Sequence, residues 1–137
     1  MRKLLVVTAL LLFVGIAFGQ TLKKGSVLGF HTATITLNPD VTMDQYLDFY
    51  LNKYIPEVNK AFPGVHLFIS KGNRGDNENG YALVWYIESL ELRDKLWPEK
   101  DVTSEIVNAA AAKIQPLITE LNSLGTMTSE HTDWVIL

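Results

Sequence analysis

The chain predicts an α+β domain of order β-α-β-β-α-β, and three observations carry that expectation. Two seven-residue runs rich in β-branched and aromatic residues, VHLFISK and YALVWYI, flank a Gly/Asn-rich loop. Two long segments repeat apolar residues every three or four positions, as helices do. A further β-type run lies at each end of this central pattern, SVLGFHTATITL before it and DWVIL after it.

Residues 26–37 form the expected first strand, which stops at Asn38-Pro39. Asp40 or Thr42 then caps a helix in which Met43, Tyr46, Leu47, Tyr50, Tyr54 and Val58 make one apolar stripe down to about Lys60. Pro56 lies inside that stripe and should bend or interrupt the helix, because it lacks an amide proton and crowds the preceding turn. Pro63-Gly64 is a turn. Residues 65–71 and 81–87 are the second and third strands, joined by the hairpin loop GNRGDNENG. Residues 91–96 make a short helical turn ending at Trp97-Pro98. A second long stripe then runs through Val102, Ile106, Ala109, Ala110, Lys113, Ile114, Leu117, Ile118 and Leu121, with Pro116 expected to kink it. Residues 133–137 are the fourth strand, and His131 falls in a polar connection before it.

This order is the ferredoxin-like arrangement, an antiparallel four-stranded sheet with two helices on one face. Alternation puts Val65, Leu67 and Ile69 toward the helices and His66, Phe68 and Ser70 on the opposite side. The third strand is apolar on both sides, so the face away from the helices needs a cover. With no third layer in the chain, a second copy is the economical one.

The first nineteen residues have a different character. Arg2 and Lys3 precede an apolar run, and Ala17-Phe18-Gly19 offers a small-x-small cleavage site, the anatomy of a secretory signal peptide. The run is short for a membrane span of ~20 residues, and no basic cluster follows it closely. The expected product is one domain, residues 20–137, exported to a periplasmic or extracellular setting without stable membrane insertion after cleavage. The net charge of the whole chain is −3, and losing Arg2 and Lys3 makes the remainder more acidic, which argues against a nucleic-acid partner. Cysteine is absent, so the fold rests on packing or association and has no thiol nucleophile.

The segments GFHTATITL, MDQYLDFYLNKYIPEV, LFISKGNRGDNENGYALVWYIES and RDKLWPEKD resemble the dimeric α/β-barrel superfamily, nearest to its small stand-alone NIPSNAP-like, EthD-like and stress-responsive members. That resemblance implies two sheets packed face to face in a homodimeric α/β barrel. It also implies a cavity between sheet and helices that can hold a small organic ligand or haem, while leaving the activity open.

His66 is the foremost titratable candidate, as a ligand-orienting group or a catalytic proton acceptor. Phe68 shares its face. A small apolar or aromatic ligand is expected in a pocket lined by His31, His66, Phe68, Trp85, Tyr86 and Trp97, with Trp97-Pro98 as a lid. Strict alternation turns His31 toward the helices, whereas a bulge at Gly29 would reverse it. Tyr46, Phe49, Tyr50 and Tyr54 read first as core packing, and otherwise as phenols beside that pocket. The resemblance, which extends to the antibiotic-biosynthesis monooxygenases, implies the alternative of a cofactor-independent monooxygenase or isomerase using His66. No metal is expected, since His31, His66 and His131 lack ligand spacing, and no haem, since neither long helix carries a histidine. A G-x-S-x-G elbow and a glycine-rich phosphate loop are both absent. Asp40, Asp44 and Asp48 read as a solvated helix face. Arg74-Gly75-Asp76 spells the integrin tripeptide, for which chance in a Gly/Asn-rich turn is sufficient.

Overall fold

Strand β1 (Val27–Leu37) pairs antiparallel with a neighbour on each side, and its register is regular from end to end. The computed structural model describes residues 22–137, so the expected leader, residues 1–19, lies outside the described residues. After β1 come α1 (Met43–Phe49), a π-helical turn (Tyr50–Tyr54) and α2 (Ile55–Ala61), which together make one continuous helical rod. The hairpin of β2 (Val65–Lys71) and β3 (Tyr81–Ile87) follows, then α3 (Leu90–Leu96), α4 (Glu105–Lys113), α5 (Gln115–Leu124) and β4 (Gly125–Val135). The sheet order is β2-β3-β1-β4, every pairing is antiparallel, and the helices cover one face. The fold is ferredoxin-like.

Local chemistry fixes the helix ends. Thr42 starts α1 through a reciprocal capping box: its hydroxyl accepts from Gln45 N–H at 3.2 Å, and Gln45 Oε1 accepts from Thr42 N–H at 2.8 Å. Ser89 and Ser104 cap α3 and α4 by accepting from Leu92 N–H and Val107 N–H. Pro56 removes a donor, and the rod answers by widening just before it, with Ile55 N–H donating to Tyr50 O in the wider spacing of a π turn. Pro116 acts differently. The chain breaks at Ile114 (φ −99°, ψ 8°), and the proline sits in the first turn of a new helix, where no amide proton is needed.

Odd-numbered strand residues face the helices. Val27, Val65, Leu67, Leu83 and Ile87 are buried there against Tyr46, Phe49, Tyr50, Val58, Leu96, Val107, Ala110, Ile114 and Leu121. Tyr46 and Tyr50 stack at 5.9 Å, Tyr50 and Tyr54 meet at 5.0 Å, and burial pushes all three phenols above their ordinary range. They are core residues, and none lines the principal cavity.

Two expectations need correction. The fourth strand starts at Gly125, eight residues earlier than expected, so His131 lies in β4 opposite His31. Apart from Met127, which packs against the core, residues 126–132 are polar, which an edge strand tolerates and which hides the apolar alternation of a strand. The stripe of the second helical region is also shifted: Val102 and Ile106 are exposed, and Val107 is the buried residue. The helix begins only at Glu105, and its buried positions Val107, Ala110, Ile114 and Leu121 keep helical spacing across the break at Ile114.

Leu67→Ala should cost about 2–5 kcal/mol, because a fully buried side chain is removed from between sheet and helices. Urea denaturation of the two proteins checks this.

Candidate functional site

The register of β1 decides which candidate residues meet. With no bulge at Gly29, residues 29 and 31 face the helices together with Trp85 and Ile87 of β3 and His131 and Asp133 of β4. Leu28, Phe30, His66, Phe68, Val84, Tyr86 and Trp134 take the opposite face. The expected pocket is therefore divided by the sheet. His31, Trp85 and Trp97 come together on the helix side, whereas His66, Phe68 and Tyr86 lie on the other. Tyr86 is buried with its hydroxyl 3.2 Å from Ser26 Oγ, and the His66 ring lies 6.0 Å from it.

A cavity of about 370 Å³ opens between the sheet and the connection from α3 to α4. Trp85 and Ile87 make its floor with His31, His131 and Asp133, Arg93 and Trp97 form a wall, and Glu99, Lys100, Asp101 and Thr103 border its mouth. Trp85 and Trp97 meet edge to face at 6.0 Å, and Phe62 supports Trp97 from behind at 6.2 Å. His31 and His131 stack with ring centroids 4.8 Å apart and planes 16° from parallel.

Arg93 holds this end of the molecule together. Its Nε and Nη2 both reach Asp133 Oδ2 at 2.7 Å, and its Nη1 donates to Trp97 O at 2.8 Å. One guanidinium thus ties the edge strand to the point where α3 ends and the cavity wall begins. Beyond it, Val102 N–H donates to Glu99 O at 3.2 Å, closing a tight turn in which Asp101 takes a left-handed conformation (φ +62°).

Gly29 keeps the floor open. A Cβ there would sit 2.9 Å from Asp133 Oδ1 and 3.5 Å from both His31 Nε2 and Trp85 Cβ. The half-buried His31 has its proton affinity lowered, first by desolvation and second by His131, with Asp133 acting in the opposite sense. Its imidazole is neutral near neutral pH and offers one donor and one acceptor nitrogen, with Nδ1 lying 3.4 Å from Ser129 Oγ. Among the described residues, no group of three histidine, cysteine or acidic side chains is placed to hold a metal ion.

Arg93, His131 and Asp133 escaped the sequence reading. A signal was present: His131 and Asp133 share parity with Val135, which pairs opposite the buried Val27, so extending the terminal strand backward would have put them on the helix side.

No protein-family model and no curated protein matches the chain. Among solved structures it is similar to SnoaB, a cofactor-independent oxygenase from Streptomyces nogalater. That match has a TM-score of 0.43 and 15% identity, covering 81% of this chain and 92% of that one. It is also similar to a dimeric protein of unknown function with a ferredoxin-like fold from Bacteroides fragilis, with a TM-score of 0.43 and 14% identity over 82% of this chain and 98% of that one. The ferredoxin-like fold of this chain follows from its strand order and pairing. The oxygenase activity and the dimer named in these comparisons are properties of those two proteins.

The lowered proton affinity of His31 sets a sign for the pH dependence of stability. From the ordinary histidine pKa of about 6.5 down to the lower folded value, the unfolded chain holds more protons than the folded one. Acidification across that window should therefore destabilise the protein. Thermal melting between about pH 7 and pH 5 should show the decline, and His31→Gln should flatten it.

Proposed function

We propose that the protein is an exported homodimer that binds a small, planar aromatic molecule between its sheet and the α3–α4 connection. The observation that carries the ligand reading is the cavity itself. Two tryptophans and a stacked histidine pair offer flat walls, a few polar groups converge on the floor, and about 370 Å³ suits a compact ligand. The lining is His31, Trp85, Trp97, Arg93, His131 and Asp133, in place of the set containing His66. A catalytic version of this reading would take its proton acceptor from His31, since His66 lies on the far side of the sheet from the cavity.

Export is read from the character of residues 1–19. The homodimer is read from the outer sheet face, where Phe30, Phe68 and Trp134 are 44%, 49% and 60% exposed. Three large exposed aromatic side chains on one sheet face are costly in water, and a second copy would cover them with its own equivalent. A stable closure of this type buries roughly 1,200–2,000 Å².

Two measurements test the reading. Tryptophan fluorescence of the processed protein should be quenched saturably by planar aromatic molecules. Trp134→Phe should preserve that quenching and Trp97→Ala should remove most of it. A wild-type protein unresponsive to the whole panel refutes the ligand reading. In sedimentation at micromolar concentration the wild type should run as a dimer and Phe68→Glu as a folded monomer; a monomeric wild type refutes the dimer.

A further inference from the structure

The polar atoms on the cavity floor are arranged asymmetrically, and the asymmetry bears on what kind of aromatic molecule fits. Both Arg93 contacts to Asp133 go to Oδ2. The other oxygen, Oδ1, lies above Gly29, and His31 Nε2 borders the same spot. Any side chain larger than glycine's hydrogen at position 29 would crowd that oxygen, at 2.9 Å from the first carbon. Glycine at 29 makes room for that carboxylate oxygen on a cavity floor whose other members are His31, Trp85, Ile87 and His131. An ionised carboxylate only accepts hydrogen bonds, and each of its oxygens can take more than one.

The surroundings do not favour a negatively charged ligand. Arg93 directs Nε and Nη2 to Asp133 and Nη1 to Trp97 O and to Asp94 at 3.5 Å, so its charge already faces two carboxylates. The mouth adds one cation, Lys100, against two carboxylates, Glu99 and Asp101. A neutral His31 contributes no positive charge. A carboxylate ligand would thus approach Asp133 with every cation nearby already matched or outnumbered.

Building on the ligand reading above, we infer that the cavity selects uncharged aromatic molecules bearing an O–H or ring N–H donor, which Asp133 Oδ1 receives over Gly29 while the rings pack against Trp85 and Trp97. Asp133 is then a specificity-determining residue: it touches the ligand and rejects acids. A bond to a charged acceptor is stronger than one between neutral groups, so removal of the donor should be felt clearly in affinity.

Three probes that share one naphthalene ring separate the possibilities: 2-naphthol, 2-methoxynaphthalene and 2-naphthoate, titrated into the processed protein by calorimetry near neutral pH. The expected result is that 2-naphthol binds about tenfold or more tightly than either of the others. Equal binding of 2-naphthol and its methyl ether overturns the inference and leaves the ligand reading standing, as does tighter binding of 2-naphthoate. Failure of all three to bind overturns both. Asp133→Asn should reduce the preference for 2-naphthol to within about threefold. Because that substitution also loosens Arg93, Gly29→Ala is the second variant. It keeps the charge but displaces Oδ1, and should reduce the same preference while binding of the methyl ether changes less.

Discussion

The bulge-free pairing of β1 with both neighbours is the constraint on which the rest of the molecule depends. A central strand locked on two sides has no freedom to rotate individual residues between faces, so one parity rule propagates through all four strands. It sends Val27, Leu67 and Leu83 into the helix-covered core and places His31 beside Trp85 at the open end of that same layer. Phe30, Phe68 and Trp134 go to the outer face. The core, the cavity and the exposed patch are three results of one register.

Within that frame the Arg93–Asp133 pair works by position more than by energy. Both side chains are only about three-quarters shielded, at 22% and 27% exposure, and such pairs contribute modestly to stability. Their contribution is geometric. The guanidinium is planar, and its fork reaches an edge strand with one side and a backbone carbonyl at the end of α3 with the other. The cavity wall is thereby held at a fixed distance from its floor, and Trp97 is placed where it can meet Trp85.

Much of the fold was legible in the sequence, and the reasons are local. The β2 and β3 runs are dense in β-branched and aromatic residues with clear turn chemistry between them, and both strands have the expected bounds. Pro56 and Pro116 announced two departures from regular helix without indicating which device would absorb each one. The site was less legible because its chemistry erases the pattern that reveals strands. His131 and Asp133 occupy inward positions of β4, where an apolar alternation would otherwise be read, and the cavity lies over them instead of a helix. His31 was ambiguous for a related reason: Gly29 is what a bulge would use, and here it serves close approach instead.

The parity of the strands also limits how this chain can change in length. Substitution can alter the cavity floor and the outer face separately, since they draw on alternate residues of the same strands. Inserting or deleting one residue within β1 would do the opposite, bringing Phe30 or Thr32 onto the floor and turning His31 outward. The hairpin loop over residues 72–80 lies beyond the paired register of β2 and β3, so length variation there leaves both faces intact. Divergence by insertion should therefore gather in that loop, while β1 and β4 diverge by exchange of side chains alone.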